Sequence, residues 1–255
     1  MIKKNMEALM FKKFIFMFLV AFTITGCSNK TTVLRVGTSS DNPPFEYIDK
    51  DGQLKGLDID FANLIGKNLG MEVKFIDMDF NSIIPALMAK KIDIAIAGIS
   101  VTKDRNRNID FTRRYYVASQ SVVVRNDSGI RIGKEEDIRN YTIGCQSGTT
   151  GQIYLDNNFL KNNLIEESKV RKYSTNVQMI LDLINGNIDI AILDDSVAEA
   201  YSKIKPVKRI FLIDTGENYA VALPKRSKLK DKISDSIDAI LDSEDWQKIM
   251  EKHLF

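Results

Sequence analysis

The stretch KIDIAIAGIS (residues 91–100) returns later in the chain as NIDIAILDDS (residues 187–196). Each copy follows a segment with apolar residues at helical spacing, IIPALMAK before the first copy and MILDLING before the second. A helix and strand repeated in this way indicate an internal duplication. We therefore expect two units of the same architecture in one chain.

Strand and helix patterns alternate around each copy. Up to the end of the first copy, the predicted strands are VLRVGTS, MEVKFIDM and IDIAIAGI, and the predicted helices are LDIDFANLIGKNLG and NSIIPALMAKK. Asn81 or Ser82 is expected to cap the second of these helices. For the second copy, the predicted strands are YTIGCQ, VRKYS and IDIAIL, and the predicted helices are TTGQIYLDNNFL and NVQMILDLING. Connections of the βαβ type require a mainly parallel sheet. The predicted fold class is α/β.

The composition excludes several classes of function. A chain of 255 residues with 44% hydrophobic residues buries a substantial core. The net charge of +2 arises from four lysines before residue 27, and the rest of the chain is close to neutral, which gives no reason to expect a nucleic-acid partner. The single histidine, His253, has no second histidine to join it and is far in sequence from the Cys145 thiol, so neither a zinc site nor a Cys-His catalytic pair is expected. We expect no metal, no cofactor and no catalytic residue, and Cys145 is expected to be a buried core residue.

The N-terminus has the pattern of an export signal. Lysines precede the apolar run FIFMFLVAFTIT, which is shorter than the roughly 20 residues that a membrane-spanning helix needs, so a retained membrane anchor is disfavoured. The residues TGCS around Cys27 resemble the lipobox of bacterial lipoproteins. That resemblance implies a signal peptide at 1–26, lipid on Cys27 and a tether at 27–32, which would hold the protein on the periplasmic or extracellular face of a bacterial membrane.

Longer segments resemble a known family. They are LRVGTSSDNPPFEYIDKDGQLKGLDIDFANLIGKNLG, MDFNSIIPALMAKKIDIAIAGISVTKDRNRNIDFTRRYY, CQSGTTG and IDIAILDD. Together they are similar to the polar amino-acid-binding proteins of bacterial ABC importers, solute-binding family 3, over residues 34–255, with glutamine- and basic-amino-acid-binding members nearest. The resemblance implies a two-lobed, type II periplasmic-binding-protein fold with two hinge strands. Lobe 1 would comprise 33–118 plus 219–255, and lobe 2 would comprise 119–218.

The same resemblance implies the function. The lobes would close on one free amino acid, and the protein, a monomer and not an enzyme, would deliver it to a membrane permease. A sensor that signals to another protein would have the same sequence features. A dehydratase-like enzyme on this fold would need a carboxylic acid with a raised pKa in the cleft, for which Asp194 is the candidate.

Ligands of open α/β sheets bind outside the carboxyl ends of the strands, which directs attention to the residues after each repeated strand. Arg105 suits the ligand carboxylate because a guanidinium forms paired hydrogen bonds with it, and Ser100 can donate a hydroxyl. The resemblance adds Ala97 and Gly98. From the second copy, the loop that includes Gln146, Thr149 and Thr150 suits an anion; a phosphate loop is the weaker alternative because the required lysine is missing.

The remaining candidates follow from the resemblance. Asp195 would accept the ligand ammonium, and Asp194 would reach the ligand side chain or solvent. Phe80 would form an aromatic wall. Two positions depart from the family: Asn42 stands where relatives carry an aromatic residue, and Ser39 stands where many carry Asp, for which Asp41 could substitute only if its loop turns differently. Trp246 is expected to be a packing residue.

Overall fold

The computed structural model describes residues 32–254. The predicted signal peptide, Cys27 and nearly all of the predicted tether lie outside the described residues. Residues Thr32–Phe255 form one compact unit. Among the helices of the described part, none combines the length and the apolar character needed to cross a membrane.

The strands are β1 (Val33–Thr38), β2 (Asp41–Asn42), β3 (Glu46–Ile48), β4 (Leu54–Lys55), β5 (Glu72–Asp77), β6 (Ile94–Ala95), β7 (Ile109–Arg125), β8 (Ile143–Gln146), β9 (Val170–Tyr173), β10 (Ile190–Asp194) and β11 (Val207–Pro224). The helices are α1 (Leu57–Leu69), α2 (Phe80–Met88), α3 (Lys103–Asn108), α4 (Thr150–Leu155), α5 (Asn176–Asn185), α6 (Asp195–Ile204), α7 (Lys230–Leu241) and α8 (Glu244–Leu254).

Eight of the strands form one sheet in the order β5-β1-β6-β11-β7-β10-β8-β9. The three strands at either end of this order pair in parallel within each group, whereas β7 and β11 run antiparallel to their neighbours. The repeated stretches become β6 and β10, which lie next to β11 and β7 respectively. The duplication therefore places the two copies at equivalent positions, each at the inner edge of its half-sheet, and the α/β prediction is confirmed.

Some local predictions differ from the structure. The strand predicted for IDIAIAGI is reduced to the two residues of β6, and Gly98 just beyond it has a φ of 53°, which no extended strand contains. Helix α2 begins at Phe80 after Asp79, so Asn81 and Ser82 lie in its first turn instead of capping it. The segment TTGQIYLDNNFL, predicted to be one helix, forms α4 followed by a π-helical turn at Asp156–Leu160.

The strands β7 and β11 connect the two halves and pair with each other along most of their length. Register shifts interrupt this pairing, and one of them falls between Ile213 and Glu217. Beside β7, the C-terminal helix packs Trp246 against Phe61 and Tyr115, with ring centroids 4.8 and 6.1 Å away. Trp246 is thus a packing residue.

Candidate functional site

A small cavity of about 20 Å³ lies where the chain leaves β6 and where β10 ends. Residues from the first half of the sheet line one side: Asp41, Asn42, Phe80, Ala97, Gly98, Ser100 and Arg105. Residues from the second half line the other: Gln146, Thr149, Thr150, Asn176, Ile192, Leu193 and Asp194. Gln120 of β7 lies between them. Both halves of the sheet therefore contribute residues to the cavity, and most of these residues are polar.

Most of the site residues predicted from sequence line this cavity, the two exceptions being Ser39 and Asp195. Sequence reasoning did not single out Gln120, Asn176, Ile192 or Leu193, and it assigned Asp41 only a conditional role. Gln120 lies within a long strand, and Asn176 begins a helix that is distant in sequence. Neither position carries a local signal of ligand contact.

Arg105 is held between the two halves. It lies on α3, whose first turn is fixed by the Thr102 side chain accepting from the Arg105 amide. Its guanidinium donates to the Ser100 carbonyl oxygen at 2.8 Å and to the Gly148 carbonyl oxygen, in the other half, at 2.9 Å. The Phe80 ring lies against it, 5.4 Å from the guanidinium carbon to the ring centroid. These contacts keep a buried cation at the cavity wall.

The loop after β8 approaches the first half closely. Gly148 has a φ of 80°, and a Cβ there would lie 3.1 Å from atoms of Asn81. Thr149 caps α4 by accepting from the Gln152 amide. Thr150 directs its hydroxyl into the site, where it donates to Glu217 at 2.5 Å. The loop therefore presents a hydroxyl beside the carbonyl group that holds Arg105.

Glu217 of β11 is a site residue that sequence reasoning missed. Its carboxylate accepts hydrogen bonds from Ser100 Oγ at 2.7 Å, from Thr150 Oγ1 and from Gln120 Nε2 at 3.2 Å. The register shift between Ile213 and Glu217 decides which side of the strand this side chain occupies. No pattern in the segment GENYA predicts such a bulge.

The two adjacent aspartates after the second repeated strand have different surroundings. Asp194 ends β10 and accepts hydrogen bonds from Tyr219 Oη and Gln120 Nε2 at the cavity. Asp195 begins α6 and accepts from Ser121 Oγ and from Arg209 Nη1, each at 2.5 Å, outside the cavity. In this geometry Asp194 lines the cavity, whereas Asp195, which was expected to accept the ligand ammonium, does not line it and pairs with Ser121 and Arg209.

Asp41 lies in the cavity wall because its loop turns back on itself, with the Asp41 amide donating to the Ser39 carbonyl oxygen at 2.8 Å. Its carboxylate accepts from Gln146 Nε2 at 3.0 Å and from the Asn176 amide at 2.5 Å, both in the second half. Ser39 does not line the cavity; its hydroxyl donates to Asp41 at 3.1 Å. The loop thus puts Asp41 in the place where Ser39 was expected.

Burial governs the charge state of these acids. It raises the pKa of Asp41 to about 6, although the Asn176 amide and the Ser39 hydroxyl act in the opposite direction. It raises the pKa of Asp194 to about 7, and the charge of Glu217 adds to the effect. Burial lowers the pKa of Arg105, which Glu217 and Asp194 oppose. The acids at this site are therefore poised to gain a cationic partner.

Several known proteins are similar to this chain over most of its length. The profile of the bacterial extracellular solute-binding proteins, family 3, matches residues 34–255. The arginine-binding extracellular protein ArtP of Bacillus subtilis (strain 168) is 29% identical over 255 residues, covering 91% of this chain and 93% of that protein. A probable histidine-binding protein of Campylobacter jejuni subsp. jejuni is 30% identical over 239 residues, covering 87% and 90%.

Two solved structures extend the similarity to the fold. An ancestral arginine-binding protein bound to arginine superimposes with a TM-score of 0.81 at 35% identity, covering 88% of this chain and 98% of that one. An ancestral arginine-binding protein bound to glutamine gives a TM-score of 0.80 at 34% identity, covering 87% and 97%.

Proposed function

Since the chain belongs to the bacterial extracellular solute-binding proteins, family 3, we propose that it captures one free amino acid, preferably with a cationic side chain, and delivers it to a membrane permease. One observation carries the preference: two carboxylates, Asp41 and Asp194, line the cavity together with the single guanidinium of Arg105, and a third, Glu217, accepts from the Ser100 and Thr150 hydroxyls beside it. A zwitterion brings equal charges of both signs. A cationic side chain adds the second positive charge that this excess of acids favours.

The ligand carboxylate goes to Arg105. A guanidinium offers donors in a planar fork that matches a carboxylate, and the hydroxyls of Ser100 and Thr150 lie beside it, one from each half. Phe80 holds the guanidinium plane from the other side. The hydroxyls that now donate to Glu217 are the donors that a ligand carboxylate would use.

The ligand ammonium goes to Asp194 at the end of β10. This carboxyl has no cationic partner at hydrogen-bond distance among the described residues, and burial and the charge of Glu217 raise its pKa. A ligand ammonium group would supply the missing partner. Asp195 is already satisfied by Arg209 and Ser121.

The ligand side chain extends toward Asp41 and Gln146. The Asp41 carboxylate suits a guanidinium or ammonium, which agrees with the arginine and histidine that relatives are named for. The amides of Asn42, Gln146 and Asn176 would also accommodate a glutamine side chain, and one similar solved structure holds glutamine. Glutamine is therefore the second candidate.

Closure follows from contacts that join the halves. We assign residues 33–118 plus 219–255 to lobe 1 and 119–218 to lobe 2, with β7 and β11 as the hinge. Arg105 and Asp41 of lobe 1 meet Gly148, Gln146 and Asn176 of lobe 2. A ligand that touches both lobes binds the closed form better than the open form, and that difference shifts the equilibrium toward closure.

Delivery requires the protein to stay near its membrane partner. We propose that residues 1–26 are removed as a signal peptide, and that lipid on Cys27 with the tether 27–32 holds the protein on the outer face of a bacterial membrane. Two or more acyl chains give stable anchoring. The family's extracellular character supports this location.

A thermal-shift screen tests the binding function. The full-length chain, unfolded and refolded to remove carried ligand, is measured with each of the twenty amino acids, ornithine and cystine. A ligand at 100 times its dissociation constant adds about 2.7 kcal/mol of stability. Arginine, lysine, histidine or ornithine should give the largest shift. A larger shift with glutamine would overturn the cationic preference, and no shift at all would overturn amino-acid binding.

Two further measurements separate transport from the other functions. The bound amino acid should be recovered chemically unchanged after long incubation, and any conversion would support the enzyme alternative through Asp194. Cells lacking the chain should lose uptake of the radiolabelled ligand. Normal uptake in those cells would support a sensor.

A further inference from the structure

Two carboxyl groups lie buried behind the cavity wall. Glu46 of β3 and Asp58 of α1 have no solvent exposure, and in the described part of the chain no cation pairs with either. The Asp58 amide donates to the Phe45 carbonyl oxygen at 2.9 Å. Gly56 permits this approach, because a Cβ there would lie only 2.0 Å from that carbonyl oxygen. The start of α1 is thus pressed against the strand that carries Glu46.

Both acids support residues that line the cavity. Asp58 Oδ2 accepts from the Gly98 amide at 2.8 Å and from the Tyr115 hydroxyl at 2.9 Å. Glu46 pairs across the β2–β3 hairpin with Asn42. The Asn42 side chain in turn lies over Gly98, since a Cβ at Gly98 would be 2.9 Å from Asn42 Nδ2. Gly98 has a φ of 53°, so its amide direction depends on these contacts.

Three carboxyl oxygens of the two acids have no donor: both oxygens of Glu46, and Asp58 Oδ1. Buried acceptors without a donor are costly, and two ionised carboxylates side by side would also repel each other. A single proton removes both costs. Shared in the hydrogen bond between the two side chains, it supplies a donor where both carboxyls have only acceptors, while Asp58 Oδ2 keeps its two donors, the Gly98 amide and the Tyr115 hydroxyl.

The electrostatic surroundings agree. Burial raises the pKa of Glu46 well above its ordinary range, and the charges of Asp58 and Asp41 act in the same direction. Burial also raises the pKa of Asp58 to about 6, opposed by the Gly98 amide, the Tyr115 hydroxyl and Glu46. The charged and titratable groups that face the pair are Asp41 from β2, Tyr115 from β7 and Tyr219 from β11, which packs on Tyr115 and Phe45.

We propose that Glu46 and Asp58 share one proton in the folded protein, and that this pair positions the Gly98 amide and the Asn42 side chain for ligand binding. Its effect on ligand affinity rests on the proposed amino-acid-binding function. Its effect on proton uptake does not. Glu46 and Asp58 are positioning residues, because neither lines the cavity itself.

The first experiment measures, in the absence of ligand, how many protons the protein takes up when it folds. Stability of the full-length chain is measured by urea unfolding from about pH 5 to 7.5, for the wild type and for Glu46→Gln. Above pH values near 4.3, the ordinary pKa of a glutamate, the unfolded chain has released this proton while the folded protein still holds it. The shared proton therefore makes the folded protein less stable as pH rises. Glu46→Gln should reduce the folding-linked proton uptake by about one. Exposed Glu72→Gln is the matched control and should change nothing.

An unchanged proton uptake in Glu46→Gln would overturn the shared proton, whatever the protein binds. For positioning, ligand affinity is compared between two variants with the ligand found by the screen. Glu46→Gln keeps a donor for Asp58 and should bind within about threefold of wild type. Glu46→Leu fills similar space without a donor and should bind at least tenfold more weakly.

Equal affinities in the two variants would overturn the positioning role. Should Glu46→Leu not fold, Tyr115→Phe removes the second donor to Asp58 and should weaken binding while leaving the proton count near that of wild type. Loss of the proton in Tyr115→Phe would also contradict the pair. A wild type that binds no amino acid would refute the proposed function while the proton count still decides whether the pair exists.

Discussion

The chain leaves β6 and β10 at equivalent positions of a duplicated scaffold, and it brings opposite charges to the cavity there. After β6 come Gly98, Ser100 and the guanidinium of Arg105. At the end of β10 comes the carboxylate of Asp194. An amino acid carries its own two charges a few ångströms apart. Under the proposed assignment, each copy of the duplication supplies one charge that matches the ligand, so that neither half alone completes the site.

Removing the charge of the first copy should have the largest effect. We predict that Arg105→Ala lowers amino-acid affinity by about 30- to 5,000-fold, because truncating one partner of a buried charge pair costs about 2–5 kcal/mol. Calorimetric titration measures this. Arg107→Ala is the control, since Arg107 is exposed on the same helix and pairs with Asp104. Retained affinity in Arg105→Ala would place the ligand carboxylate elsewhere.

Removing the charge of the second copy should be next in size, and it separates two neighbouring residues. Asp194→Asn should weaken binding by about 10- to 100-fold, because the ammonium loses its anionic partner. Asp195→Asn should stay within about threefold, since it loses only partly exposed contacts to Arg209 and Ser121. The reverse order would return the ammonium site to Asp195.

The acids at the cavity should make affinity depend on pH. With pKa values of about 7 for Asp194 and about 6 for Asp41, both must release a proton before they accept a cation. Affinity for a cationic amino acid should therefore be about tenfold or more weaker at pH 5 than at pH 8. Titrations across this range test it, and Asp194→Asn should flatten the profile.

The stability of the ligand-free protein should move in the opposite direction. Because both pKa values lie above those of unfolded aspartates, the folded state holds protons that the unfolded state has released, and stability rises as pH falls from about 7 toward 4. Stability that fell over this interval would contradict the raised pKa values.

The smallest effect concerns the backbone after β6. Gly98 and Gly52 both have positive φ, but only Gly98 has neighbours within reach of a Cβ, namely Asn42 and Tyr219. Gly52→Ala should cost about 1–2 kcal/mol of stability and leave binding unchanged. Gly98→Ala should cost more and weaken binding severalfold. If Gly52→Ala and Gly98→Ala changed stability and binding by equal amounts in unfolding and titration experiments, the contact of Gly98 with Asn42 would be unimportant.

Sequence reasoning reached the fold because hydrophobic periodicity and the repeat are local patterns. The helices and parallel strands followed from them, whereas Arg105 was chosen from the family resemblance, because a charged run such as TKDRNR is ordinarily an exposed face. The length of β6 did not follow, because only the left-handed backbone of Gly98 shows where the strand must stop.

The remaining site residues depend on geometry that no short pattern encodes. Asp194 and Asp195 straddle the change from strand to helix, and a one-residue difference in that boundary exchanges the directions of their side chains. Glu217 reaches the site through a bulge in β11. Asp41 does so through a turn whose hydrogen bonds involve the distant residues Gln146 and Asn176.

The burial of Cys145 has a practical consequence. The chain has two cysteines, and Cys27 is blocked under the proposed lipidation. Burial raises the pKa of the Cys145 thiol to about 12, so thiol-directed dyes will react with it very slowly at neutral pH. Cysteines introduced at exposed positions of each half can therefore carry a fluorescent donor and acceptor without removal of a native thiol. The protein is already suited to become an optical reporter of its own ligand.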